Sequence, residues 1–150
     1  MKSFKYKKYC CLLVVLSFLA TWIGCNKKSA TKTEDNTTDG TYQSVTAQEA
    51  DTLIEQNKDN PDFIILDVRT PGEFNRSHIA GAQNIDFYNS DFESNLEQLD
   101  KTKIYFVYCA SGNRSGKAMK KMKSLNFRTV YNLLGGISGW TNAGYDVVTP

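Results

Sequence analysis

The chain has 150 residues, with 18 Lys or Arg against 16 Asp or Glu and a formal charge of +2. A balance so close to neutral makes no case for nucleic acid as a partner, and the length suits one modest core. Four of the cations, Lys2, Lys5, Lys7 and Lys8, crowd the amino terminus, and without them the body is mildly acidic.

Behind those lysines, residues 10–20 (CCLLVVLSFLA) form an almost unbroken apolar run. It is too short to cross roughly 30 Å of hydrocarbon comfortably, and it has the length of a signal-peptide core. Gly24-Cys25 follows, then the polar Asn26-Lys27-Lys28. This order resembles the cleavage and lipidation site of bacterial lipoproteins, although Trp22 departs from the small aliphatic residue usual three before the cysteine. The resemblance implies a signal peptide over residues 1–24, a lipidated Cys25 carrying palmitate-type chains, and a body anchored in the cell envelope facing the periplasm. The alternative, an uncleaved amino-terminal anchor, also places the body outside the cytoplasm. Of four cysteines, Cys10 and Cys11 would leave with the signal and Cys25 would be blocked by lipid, so Cys109 would remain alone. With no intrachain disulfide open to it, Cys109 is either a buried spectator or a reactive group.

Residues 26–44 contain scarcely a large apolar side chain and predict a flexible tether, with order beginning at Val45. Thr46 and Glu49 fit a capping box ahead of an apolar stripe of Ala50, Leu53 and Ile54, predicting a first helix. Residues 63–68 (FIILDV) predict a strand covered on both faces, and residues 82–85 a shorter one. Ser90 and Glu93 fit a second capping box before Phe92, Leu96 and Leu99. Residues 104–108 (IYFVY) are the clearest strand, leading through Cys109-Ala110-Ser111-Gly112-Asn113-Arg114 into a helix from about Ser115 to Leu125. Ala118, Met119, Met122 and Leu125 give that helix its buried stripe, and Lys117, Lys120, Lys121 and Lys123 its wet side. Residues 129–131 form another strand, and Gly135-Gly136 breaks the chain before a helical turn over residues 137–143. This alternation predicts an α/β fold of three layers with a mostly parallel central sheet.

Active loops in such folds lie beyond the carboxyl ends of strands, where Cys109 falls. The N–H groups of a tight turn and of a helix's first turn converge on an anion there, favouring the thiolate over the thiol. Gly112 permits the backbone geometry of a cradle, Arg114 adds a fork of donors for an oxyanion, and Ser115 is placed to cap the helix while donating into the loop. Such a cradle suits a thiolate that attacks a sulfane sulfur and then carries it as a persulfide, with no metal or organic cofactor required.

Four segments, in order, make the body similar to single-domain rhodanese sulfurtransferases: residues 67–74 (DVRTPGEF), 78–85 (HIAGAQNI), 109–115 (CASGNRS) and 134–140 (LGGISGW). Ser77 departs from the glycine usual before the histidine. The resemblance covers about residues 45–148 of a domain taken as 45–150. It implies a monomeric sulfurtransferase moving sulfur from thiosulfate or a related donor to a thiol or cyanide through Cys109. Ala110, Ser111, Gly112, Asn113 and Ser115 would hold the substrate, with Arg114 on its sulfonate. Arg69 is a second candidate contact, with pairing to Asp67 or Glu73 as the structural alternative. Asp67 and the single histidine, His78, are expected to brace the site, Gly135-Gly136 to fit a tight crossing, and Trp140 to belong to the core. Two other functions remain open, a noncatalytic sulfur-binding or protein-interaction module and a phosphatase or arsenate reductase. Six residues from Cys109 to Arg114 disfavour the latter pair, whose loops are one residue longer.

Overall fold

The computed structural model describes residues 40–149, so the signal, Cys25 and most of the expected tether lie outside the described residues. Strand β1 (Thr41–Val45) leads into helix α1 (Ala47–Gln56), followed by β2 (Phe63–Asp67), α2 (Pro71–Arg76) and the short β3 (Gln83–Asn84). Helix α3 (Phe92–Glu97), β4 (Ile104–Tyr108), α4 (Asn113–Ser124), β5 (Thr129–Leu133) and α5 (Gly136–Asn142) complete the order. The sheet runs β1-β5-β4-β2-β3, and every pair in it is parallel. The three-layer α/β architecture expected from the alternating pattern is therefore present.

Side chains alternate across the sheet, so each strand supplies two cores. On β4, Tyr105 and Val107 join Cys109, Ala118 and Met122 on the face covered by α3 and α4. Phe106 and Tyr108 point the other way, joining Ala50, Ile137 and Trp140 under α1 and α5. The same parity places Cys109 on the α4 side of the sheet, at the start of the helix that follows it.

Order starts before Val45, which corrects the tether boundary expected at residue 44. Thr41 to Val45 pair in register with Thr129 to Leu133. Pairing consumes backbone N–H and C=O groups whatever the side chains are, so a polar strand is stabilised by an edge that its own composition does not reveal. Thr46 and Glu49 form both halves of the expected capping box, with Glu49 Oε2 accepting from Thr46 N at 2.8 Å.

The second expected box is absent. Asp91, not Ser90, sits at the N-cap of α3 and makes no side-chain cap, while Glu93 accepts from Lys121 Nζ at 2.9 Å. A long-range ion pair has drawn Glu93 onto α4, and Leu99 packs from beyond the helix end. The real second box is Thr70-Glu73, with Pro71 in the first turn, and it builds α2, an element missing from the expected set. Helix α4 begins two residues early, at Asn113, because Gly112 takes the left-handed conformation (φ 90°) at its N-cap. Ser115 thus lies inside the first turn and does not cap the helix.

Candidate active site

The site begins with a strand end and a turn. Strand β4 delivers a fully buried Cys109, and the chain swings through Ala110 to Gly112 into α4. Gly112 N donates to Cys109 Sγ at 3.2 Å, and the Ser115 hydroxyl donates to it at 3.5 Å. Burial alone raises a thiol's pKa. Here that effect is outweighed by donation from the Ser115 hydroxyl and from the N–H groups of Ser115, Ser111 and Gly112, which hold Cys109 below the ordinary thiol range. The start of α4 adds the positive end of a helix dipole to the same point.

The loop is pinned from outside by α5. Ile137 N donates to the Cys109 carbonyl at 2.8 Å and Ser138 N to the Ala110 carbonyl at 3.1 Å. Gly136 (φ 57°) permits this approach, since a Cβ there would lie 2.4 Å from the Cys109 oxygen and 2.5 Å from the Ala110 carbonyl carbon. The two adjacent glycines serve a tight crossing, and Trp140 is buried with its indole N–H donating to the Asp146 carbonyl at 2.8 Å.

Arg69 is engaged by structural partners. It is 5% exposed, and Asp67, at 0%, accepts from its Nε at 2.9 Å and from its Nη2 at 2.6 Å. The same Nη2 donates to the Ser77 carbonyl at 2.6 Å, and the guanidinium stands 5.6 Å from the Tyr108 ring centroid. This buried pair ties the end of β2 to the segment after α2 and to β4. The bracing alternative is the observed one, with Asp67 as its partner. Asn84, unremarked in the sequence, extends the brace by donating to the Asp67 and Arg69 carbonyls at 3.0 and 2.8 Å.

Ser77 carries φ −170° and ψ 148°, extended backbone open to any residue, which explains why serine stands there without cost. His78 is held by its neighbours. Its ring stacks on Phe74 with centroids 4.0 Å apart, its Nδ1 lies 3.1 Å from the Phe74 carbonyl, and its backbone bridges to Val148.

Arg114 projects from the first turn of α4 but is already engaged. Its Nη1 and Nη2 donate to the two oxygens of Glu73, at 2.8 and 2.7 Å. Hydrogen bonding from Arg114 overcomes the desolvation of Glu73 and, with the Thr70 donors, holds its pKa at about 2. The same partner raises Arg114 further above its usual range. The sequence offers Glu73 as a partner for Arg69, and the structure gives it to Arg114 instead; its signal is Thr70-x-x-Glu73, which fixes α2 and so aims the carboxylate at the loop.

The fold and the site together define a class, that of parallel α/β domains holding a cysteine among N–H and O–H donors between a strand end and a helix start. Within that class this chain belongs to the rhodanese-like domain family, whose model matches residues 46–143. It is 28% identical to a sulfurtransferase of Allochromatium vinosum over 102 residues, 68% of this chain and 94% of that one. It is 36% identical to thiosulfate sulfurtransferase 16 of Arabidopsis thaliana over 89 residues, 53% of this chain and 74% of that protein. The chain spans 59% of the length of another relative, the uncharacterised protein YqhL of Bacillus subtilis, at 34% identity. Among solved structures, a rhodanese-related protein of Thermoplasma volcanium superposes with a TM-score of 0.61 at 33% identity, covering 73% of this chain and all of that one.

Proposed function

We propose that the domain is a sulfurtransferase that carries a sulfane sulfur on Cys109. The observation that carries the reading is the set of neutral donors converging on Cys109 Sγ, which stabilises a negative sulfur without needing a general base. In the first step the Cys109 thiolate forms an S–S bond to the outer sulfur of a donor such as thiosulfate. The bond from that sulfur to the sulfonyl sulfur breaks, and its electron pair leaves on sulfite. The product is an anionic persulfide held by the same N–H groups. In the second step a thiolate or cyanide attacks the outer sulfur, and the electron pair returns to Cys109. Cys109 is fully buried behind the loop from Ala110 to Asn113.

Intact mass analysis of residues 40–150 with thiosulfate tests this reading. A gain of about 32 Da is expected, with one equivalent of sulfite released and the mass restored by cyanide, as double displacement requires. Absence of the gain with every sulfane donor would leave a noncatalytic binding module.

We further propose that Cys25 is lipidated and holds the domain at a bacterial envelope membrane. The support is the leader pattern of residues 1–28. Acyl labelling of the full chain in a bacterial host is expected to vanish in Cys25→Ala; persistent labelling would refute the anchor.

A further inference from the structure

Arg114 is the one cation among the six loop residues from Cys109 to Arg114, and each terminal nitrogen of its guanidinium donates one bond to Glu73, whose carboxylate cancels its charge. Its remaining surroundings do not free it. Its side chain is 15% exposed, and the guanidinium carbon lies 5.4 Å from the ring centroid of Tyr88, itself 68% exposed at the rim. Glu73 is fixed in its turn by the α2 capping box, accepting from Thr70 N at 3.0 Å and Thr70 Oγ1 at 2.9 Å. The carboxylate therefore cannot swing aside without undoing a helix start. The loop thus meets an incoming donor with neutral N–H and O–H groups and a guanidinium whose charge is cancelled locally. Coulomb attraction scales with the donor's charge, so cancelling the guanidinium removes a full-charge contribution that would favour a dianion over a monoanion and leaves only the partial charges of the loop donors and the helix start.

We propose that Glu73 is a specificity-determining residue that, by occupying Arg114, turns the site toward sulfane donors with a single negative charge, thiosulfonates and organic persulfides, and away from the thiosulfate dianion. The inference rests on the persulfide reading above. Arg114 is then a positioning residue that locks the cysteine loop to α2.

The test compares thiosulfate with methanethiosulfonate, which presents the same reacting sulfur with one charge fewer and releases methanesulfinate in place of sulfite. Intrinsic reactivity differs between the two donors, so the informative quantity is how each kcat/KM changes in Glu73→Gln. Glutamine keeps an acceptor for Thr70 but removes the charge that holds Arg114. Thiosulfate is expected to gain about tenfold and methanethiosulfonate only about threefold, since the unmasked attraction scales with donor charge. Equal changes for both donors, or a fall for thiosulfate, would overturn the proposal. A second measurement needs no variant. On the unaltered protein, sulfate should protect Cys109 from the neutral alkylator iodoacetamide no better than methanesulfonate does, and protection by sulfate at tenfold lower concentration would equally overturn it. If neither donor adds sulfur to the unaltered protein, the failure belongs to the persulfide reading and not to Glu73.

Discussion

Cys109→Ser is expected to reduce sulfurtransferase turnover to background, a loss of at least about 10³-fold, while leaving the fold intact. The reason is that the cradle stabilises an anion and does not create one. A thiol needs only the Ser115 hydroxyl and the loop N–H groups to ionise below its ordinary range. A hydroxyl is many powers of ten less acidic and needs a base. The single histidine is stacked on Phe74 with Nδ1 at the Phe74 carbonyl, and Glu73 is committed to Arg114. The folded state should tolerate serine, because Gly112 N and the Ser115 hydroxyl already point at that position and a hydroxyl hydrogen-bonds with both. Steady-state transfer from a sulfane donor to cyanide, with thermal unfolding measured in parallel, checks both halves. Residual turnover above background in the serine variant would remove Cys109 from the sulfur-carrying role.

Arg69→Met is expected to destabilise the domain by about 3–5 kcal/mol, lowering Tm by at least about 12 °C for a domain of this size. Removing the cation leaves Asp67, fully buried, with no countercharge, and it frees the Ser77 carbonyl that Arg69 Nη2 had satisfied. The double variant Asp67→Leu with Arg69→Met should recover much of this loss, because two apolar groups need no mutual compensation. Recovery should stop about 1–3 kcal/mol short, since the backbone N–H of residue 69, which donates to Asp67 Oδ1 at 2.8 Å, then loses its acceptor. Differential scanning calorimetry of the three proteins settles the point. A single variant as stable as the parent would show that the pair braces nothing.

These expectations divide along the line between local and distant causes. The strand over Ile104–Tyr108, the capping box at Thr46 and Glu49, and the cysteine loop between a strand and a helix all follow from residues within one or two turns of each other. Such features are legible because side-chain periodicity, caps and turn glycines act over that range. Ser90 and Glu93 mark where the rule fails: the spacing fits a cap, but Lys121, 28 residues from Glu93, takes the carboxylate. Strand β1 fails in the opposite sense, since nothing in Thr41–Val45 marks a strand until β5 lies beside it.

For the site, the sequence by itself determined where Cys109 stands, at a helix start and within a backbone cradle, because those depend on the order of residues 109–115. Only the tertiary structure decided what the two arginines do. Arg69 and Arg114 carry the same group, yet one is sealed against Asp67 beside the Tyr108 ring while the other meets Glu73 across 41 residues of chain. An arginine's donors reach whatever acceptor the fold brings within about 3 Å, and that distance is set by packing between elements and not by spacing along the chain.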